Sequence, residues 1–107
     1  MKRGNLFAQA GAPPEGERFE TLLQHKNLVI ERIISSSHIT PTAYVQAQDE
    51  WVVLLQGEAV LEVDGLRHAL KSGDHLFLAA GLAHTVLSAS DGALWLAVHL
   101  HPKGGDA

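Results

Sequence analysis

Glycine recurs at a fixed interval through the middle of the chain. Gly57, Gly65, Gly73 and Gly81 each follow the last by eight residues. Short apolar runs lie between them, at 51–55, 59–63, 66–70 and 76–79. The interval leaves room for one short strand and its turn. It leaves no room for a helix longer than about three turns. The turn chemistry agrees. Val63-Asp64-Gly65 carries the Asp-Gly pair favoured in two-residue hairpins. Lys71-Ser72-Gly73-Asp74 and Ser88-Ala89-Ser90-Asp91-Gly92 supply further turn residues. The segments between glycines are unlike one another, so the pattern reads as successive hairpins and not as a solenoid. The spacing predicts an all-β sandwich or barrel of antiparallel strands, with no helix between residues 43 and 100.

Upstream, Leu28-Val29-Ile30-Glu31-Arg32-Ile33-Ile34 is a β-branched run that reads as a strand, closed by Ser35-Ser36-Ser37 and Pro41. Residues 1–17 contain Pro13, Pro14, Gly11 and Gly16 and read as a flexible N-terminal arm. Residues 18–107 then form a single domain, consistent with a length of 107 residues, 46% hydrophobic and 19% charged. The formal net charge is −4 and no basic block is present, so neither nucleic acid nor an anionic membrane is expected as a partner. The absence of cysteine rules out disulfides, thiolate metal sites and cysteine nucleophiles. The most apolar stretches, 76–83 and 93–98, fall short of the ~20 residues of a spanning helix. The apolar patch after Met1-Lys2-Arg3 is too short for the ~7–15-residue core of a signal peptide. A soluble, cytoplasmic protein is expected.

Strand alternation selects the candidate functional residues. Tyr44 and Gln46 share one strand face, and Glu50 joins it if the strand continues. Glu50 heads the apolar run Trp51-Val52-Val53-Leu54-Leu55, either as a solvated strand end or as a buried functional carboxylate. His84 opens the strand Thr85-Val86-Leu87, as a core or surface histidine or as a ligand. His99 and His101 share a face and could chelate a metal, or simply fray near the C-terminus. His25, His68 and His75 read as surface residues beside turns. If the alternation points inward, Val52, Leu54, Leu61, Val63, Leu76, Leu78 and Val86 are apolar walls. Tyr44, Gln46, Glu50, His84 and Ser88 then make a polar end, suited to a small molecule with one polar head.

The spacing of these residues resembles that of a small single-domain cupin. That family's motifs are Gly-x5-His-x-His-x3,4-Glu-x6-Gly and Gly-x5-Pro-x-Gly-x2-His-x3-Asn. Glu50 and Gly57 match the end of the first, and Gly73, Gly81 and His84 match the second. His38 stands at the first glycine, Tyr44 and Gln46 replace the two histidines, Ala79 replaces the proline and Ser88 the asparagine. The stretch from Tyr44 to Leu55 looks like a subgroup of short bacterial cupins with Tyr-x-Gln in place of His-x-His. The resemblance implies an antiparallel double-sheet jelly-roll barrel and a homodimer. It also implies a divalent metal (Fe, Mn, Ni or Zn) held by Tyr44, Gln46, Glu50 and His84, with His38, His99 and His101 as possible substitutes. A neutral amide and a phenol are weaker ligands than the imidazoles they replace. Three readings stay open: a metal-dependent enzyme acting on a small polar molecule, a metal-free barrel that binds a small ligand, and a structural protein without a site. All but the last require Tyr44, Gln46, Glu50 and His84 to converge inside the barrel.

Overall fold

The computed structural model describes residues 3–102. They form eight strands: β1 (Glu17–His25), β2 (Leu28–Ser35), β3 (Asp49–Gln56), β4 (Glu58–Val63), β5 (Leu66–Lys71), β6 (His75–Leu78), β7 (His84–Ala89) and β8 (Ala93–Leu100). There is no helix among them, and so none long and apolar enough to cross a membrane. The strands build two antiparallel sheets, ordered β1-β2-β8-β3-β6 and β5-β4-β7. The result is the double-sheet jelly roll expected from the sequence.

Period-two alternation decides what lies between the sheets. Ile33, Val52, Leu54, Trp95 and Ala97 from the first sheet pack with Ala59, Leu61 and Leu70 from the second. Leu78 closes one side, and Val63, Leu76 and Val86 pack against the cluster. All seven residues expected as walls thus lie in or against the core, but Leu54, Val63 and Leu76 do not line the barrel cavity. The Trp95 indole N–H is satisfied in the interior by Ser35 Oγ at 3.0 Å.

The opposite face of the first sheet carries Arg32, buried although charged. Its guanidinium makes two 2.9 Å hydrogen bonds to the carboxylate of Glu20, its partner across β1. It also donates to the carbonyls of Leu6 and Ala8. Arg18 donates to the carbonyls of Gln9 and Gly11. Residues 6–11, expected to be part of an arm, therefore run along this outer face.

The turns follow the glycines. Asp64 (φ 49°) and Gly65 (φ 81°) both occupy the left-handed region, as the type I′ hairpin between β4 and β5 demands. Gly57 (φ 94°) turns β3 into β4 at a crowded corner. A Cβ there would lie 2.6 Å from Ser90 Oγ and 3.0 Å from Ala93 Cα, whereas a Cβ on Gly65 would meet nothing within 4 Å. Gly65→Ala should therefore cost about 1 kcal/mol, the strain of positive φ alone. Gly57→Ala adds overpacking and should cost about 2–4 kcal/mol. Urea unfolding of the two variants checks the difference, and equal losses would refute the crowding argument.

Candidate functional site

Cross-strand register gathers the polar residues at one end of the barrel. Glu50 on β3 lies directly opposite His99 on β8, which brings their side chains together on the inner face. His99 in turn pairs with Val29 of β2, so Glu31, two residues on, is its diagonal neighbour on the same face. His99 Nε2 and Glu31 Oε1 are 2.7 Å apart. Glu17 of β1 pairs with Ser35, whose hydroxyl donates to Glu17 Oε2 at 2.7 Å. The facing sheet contributes His84 at the start of β7. Its Nε2 lies 4.0 Å from Glu50 Oε1.

The segment 36–48 carries Tyr44, Gln46 and Gln48 to this end. Backbone hydrogen bonds from Tyr44 N to His84 O (2.8 Å) and from His84 N to Tyr44 O (3.0 Å) pin it to β7. Gly81 N donates to Gln46 O at 2.8 Å. Gln46 can then donate from Nε2 to Glu50 Oε1 at 2.9 Å, while Gln48 Nε2 donates to Gln46 Oε1 at 3.1 Å. The chain has one direction. A reversed Gln46 would set its carbonyl oxygen against the carboxylate. Gln48 Nε2 also lies 3.4 Å from His99 Nδ1, so the Gln48 amide ties the two halves of the site together. His84 Nδ1 faces the Leu82 carbonyl at 3.2 Å. A carbonyl only accepts, so Nδ1 carries a proton, and in the neutral ring Nε2 points into the site as an acceptor.

These groups border a cavity of about 280 Å³. Gln46, Glu50 and His84 line it, with Tyr44 at the rim. Tyr44 is half exposed, its ring 6.1 Å from that of His84. Glu17, Glu31 and His99 also border the cavity. Its walls are Ile33, Val52, Leu61, Leu78, Val86 and Trp95. Ser88 is not at this end. A bulge between Val60 and Leu61 in the pairing of β4 with β7 sets Leu61 opposite Val86 but Val60 opposite Ser88. The alternation flips there, and Ser88 borders a groove on the other side. His38 is exposed on the 36–48 segment and borders a separate groove. His101 stacks on the His99 ring but does not line the cavity.

Two of these groups have displaced pKa values. The hydrogen bond to Glu31 raises that of His99, against the effect of burial and with help from the charge of Glu50. Burial raises that of Glu17, opposed by the Ser35 hydrogen bond and reinforced by the charges of Glu31 and Glu50.

The four residues that the resemblance assigns to a metal do not fit one. Gln46 turns N–H, not oxygen, toward Glu50, and Tyr44 sits out at the rim. His99 adds no free ligand, since one ring nitrogen faces Glu31 and the other faces the Gln48 amide. Among the described residues, no group of three or more His, Asp or Glu is arranged to hold a metal ion.

The displaced Glu17 carboxyl makes stability depend on pH. A carboxyl with a higher pKa folded than unfolded keeps a proton that the unfolded chain has released. Stability then falls as pH rises from the ordinary value of 4.5 through the raised one. His99 acts in the same sense only above its ordinary 6.5, so the window between the two belongs to Glu17. Glu17→Gln retains an acceptor for Ser35 and should flatten the decline, giving a higher Tm near pH 6 than the parent protein (about 4–8 °C per kcal/mol in a domain of this size). Thermal melts from pH 4 to 7 test this. Parallel curves for parent and variant would show that neither burial nor its neighbours displace the Glu17 carboxyl.

The fold and site have relatives. The cupin domain family matches residues 34–101. A protein from Ralstonia eutropha JMP134, provisionally named a mannose-6-phosphate isomerase, superposes with a TM-score of 0.82 at 36% identity, covering 95% of this chain and 100% of its own. An RmlC-like cupin from Desulfovibrio desulfuricans gives 0.80 at 18% identity over 94% of this chain and 96% of its own. KdgF from a Halomonas species gives 0.75 at 14% over 83% and 82%. At these lower identities the likeness is one of fold. No curated protein matches the sequence. The family match spans more than half the chain and covers β3 to β8, the strands that carry Glu50, His84 and His99, and this chain therefore belongs to the cupin family.

Proposed function

We propose that this cupin is a metal-free receptor that holds a small organic molecule inside its barrel. The observation that supports the reading is the hydrogen-bond chain from Gln48 through Gln46 to Glu50. It satisfies a buried carboxylate with an amide where a metal-binding barrel would use a cation. The rest of the chamber is hydrocarbon wall. Each ~100 Å² of apolar ligand surface buried against such walls contributes about 2.5 kcal/mol. A few convergent polar groups then fix the orientation of the ligand. Its volume of about 280 Å³ matches a molecule at the small end of the range for such sites.

The name of the Ralstonia relative would call for a sugar phosphate. Among the described residues, the acids and histidines that border this chamber are Glu17, Glu31, Glu50, His84 and His99, and no Lys or Arg borders it. His99, whose pKa is raised, is already bound to Glu31, and three glutamates would face a phosphate dianion, so the chamber does not support that substrate.

Metal reconstitution tests the reading. Protein made without a histidine tag and incubated with Fe(II), Mn(II), Ni(II) or Zn(II) should retain far less than one equivalent after gel filtration, by elemental analysis. Glu50→Gln should retain no less than the parent. One equivalent of bound ion, lost in Glu50→Gln or His84→Ala, would overturn it.

A further inference from the structure

The unfilled hydrogen-bonding capacity of the chamber is almost all of one kind. His84 is more than nine-tenths buried. In the neutral ring its Nε2 lone pair faces the cavity, and no protein group among the described residues donates to it. Glu50 is equally buried, and Gln46 is the one side chain among the described residues that donates to it, on Oε1. Around these two acceptors stand Glu31 and Glu17. Arg32, the buried cation of the fold, is on the outer face of the sheet and already bound to Glu20. Even with His99 as an imidazolium the chamber is net negative. Burial raises the pKa of Glu17, and the charges of Glu31 and Glu50 add to that rise.

Such a site asks for a donor that carries positive charge. The gap of 4.0 Å between Glu50 Oε1 and His84 Nε2 is too wide for a direct hydrogen bond. An ammonium nitrogen about 2.8 Å from each, the length of a charge-assisted hydrogen bond, spans it. Two N–H groups serve the two acceptors, and the third N–H and the carbon skeleton turn toward the chamber. There the skeleton meets Val52, Leu61, Leu78, Val86 and the ring of Trp95. Resting on the metal-free reading above, we propose that the chamber receives a small primary amine with an apolar body, its ammonium head seated between Glu50 and His84. An alcohol of the same shape would fill the walls but leave the negative charge unbalanced. A carboxylate would meet three glutamates.

Three probes of one shape separate these cases: phenethylamine, phenethyl alcohol and 3-phenylpropionate, titrated calorimetrically into the intact protein at neutral pH. The amine is expected to bind about tenfold or more tightly than the alcohol, one charge-assisted hydrogen bond's worth of discrimination. The carboxylate is expected not to bind. Glu50→Gln, checked for folding by circular dichroism, should bring the amine down to the affinity of the alcohol, and His84→Ala should weaken it. Should either variant fail to fold, the ranking of probes on the parent protein still decides. Equal affinities for amine and alcohol, or preference for the carboxylate, would overturn the amine proposal and leave a metal-free chamber standing. Binding of none of the three, or amine binding that appears only with added divalent metal, would overturn both.

Discussion

A carboxylate inside a hydrocarbon barrel is the constraint on which this structure turns. Leaving Glu50 buried and unpaired would cost several kcal/mol, a large part of the net stability of a domain this small. The fold meets that demand locally. Gln46 must reach Glu50, so the 36–48 segment must cross the barrel mouth. Its two backbone bonds to His84 and the Gly81 N–H on Gln46 O hold it there. The residue that needs a partner, the segment that supplies it and the strand that anchors the segment therefore form one unit. Gly81 at φ 81° stands where β6 hands over to β7, and the freedom of glycine lets the amide of that turn face the segment.

The two sheets divide the labour. The five-stranded sheet carries every acid of the chamber: Glu17 on β1, Glu31 on β2 and Glu50 on β3, with His99 on β8 between the last two. The three-stranded sheet gives only hydrocarbon and His84. Adjacent strands with acids on one face would repel each other. His99, between Glu31 at 2.7 Å and Glu50 at 3.9 Å, relieves this, and its raised pKa is the thermodynamic counterpart of that position. Ser35 does the same for Glu17 with a neutral hydroxyl, which Trp95 orients from the other side.

How far the sequence discloses this depends on the range of each interaction. Glycine spacing and the Asp-Gly pair are local signals, and hairpins are local structures, so the strand pattern from residue 49 onward is legible. Glu50 and His84 are legible because motif spacing fixes their places in two hairpins. Glu31 leaves a fainter trace, sharing parity with Val29 and Ile33 in a run whose apolar residues hide which face is inside. The roles of His99 and Glu17 rest on register between strands far apart in the chain, and no short-range pattern encodes that. Ser88 misleads for a related reason: strict alternation cannot anticipate a bulge. The proline- and glycine-rich start signals a lack of regular structure, and nothing in it shows that its carbonyls would serve Arg32 and Arg18.

Where the resemblance aligns Tyr44 and Gln46 with a cupin His-x-His, more than the number of ligands differs. An imidazole at the second of these positions would offer a lone pair to a cation. The Gln46 amide offers an N–H to Glu50 and uses its oxygen for Gln48. The carboxylate that would share a metal's charge in a three-histidine site is here held by the neutral Gln46 amide. His84 has Nδ1 held by the Leu82 carbonyl, and in the neutral ring its Nε2 is turned to the site. Two acceptors aimed at one small volume, in a chamber that no lysine or arginine among the described residues borders, leave a deficit of positive charge. Water bridges such acceptors but carries no charge. Whatever ligand binds here most tightly is one that brings the missing charge with it.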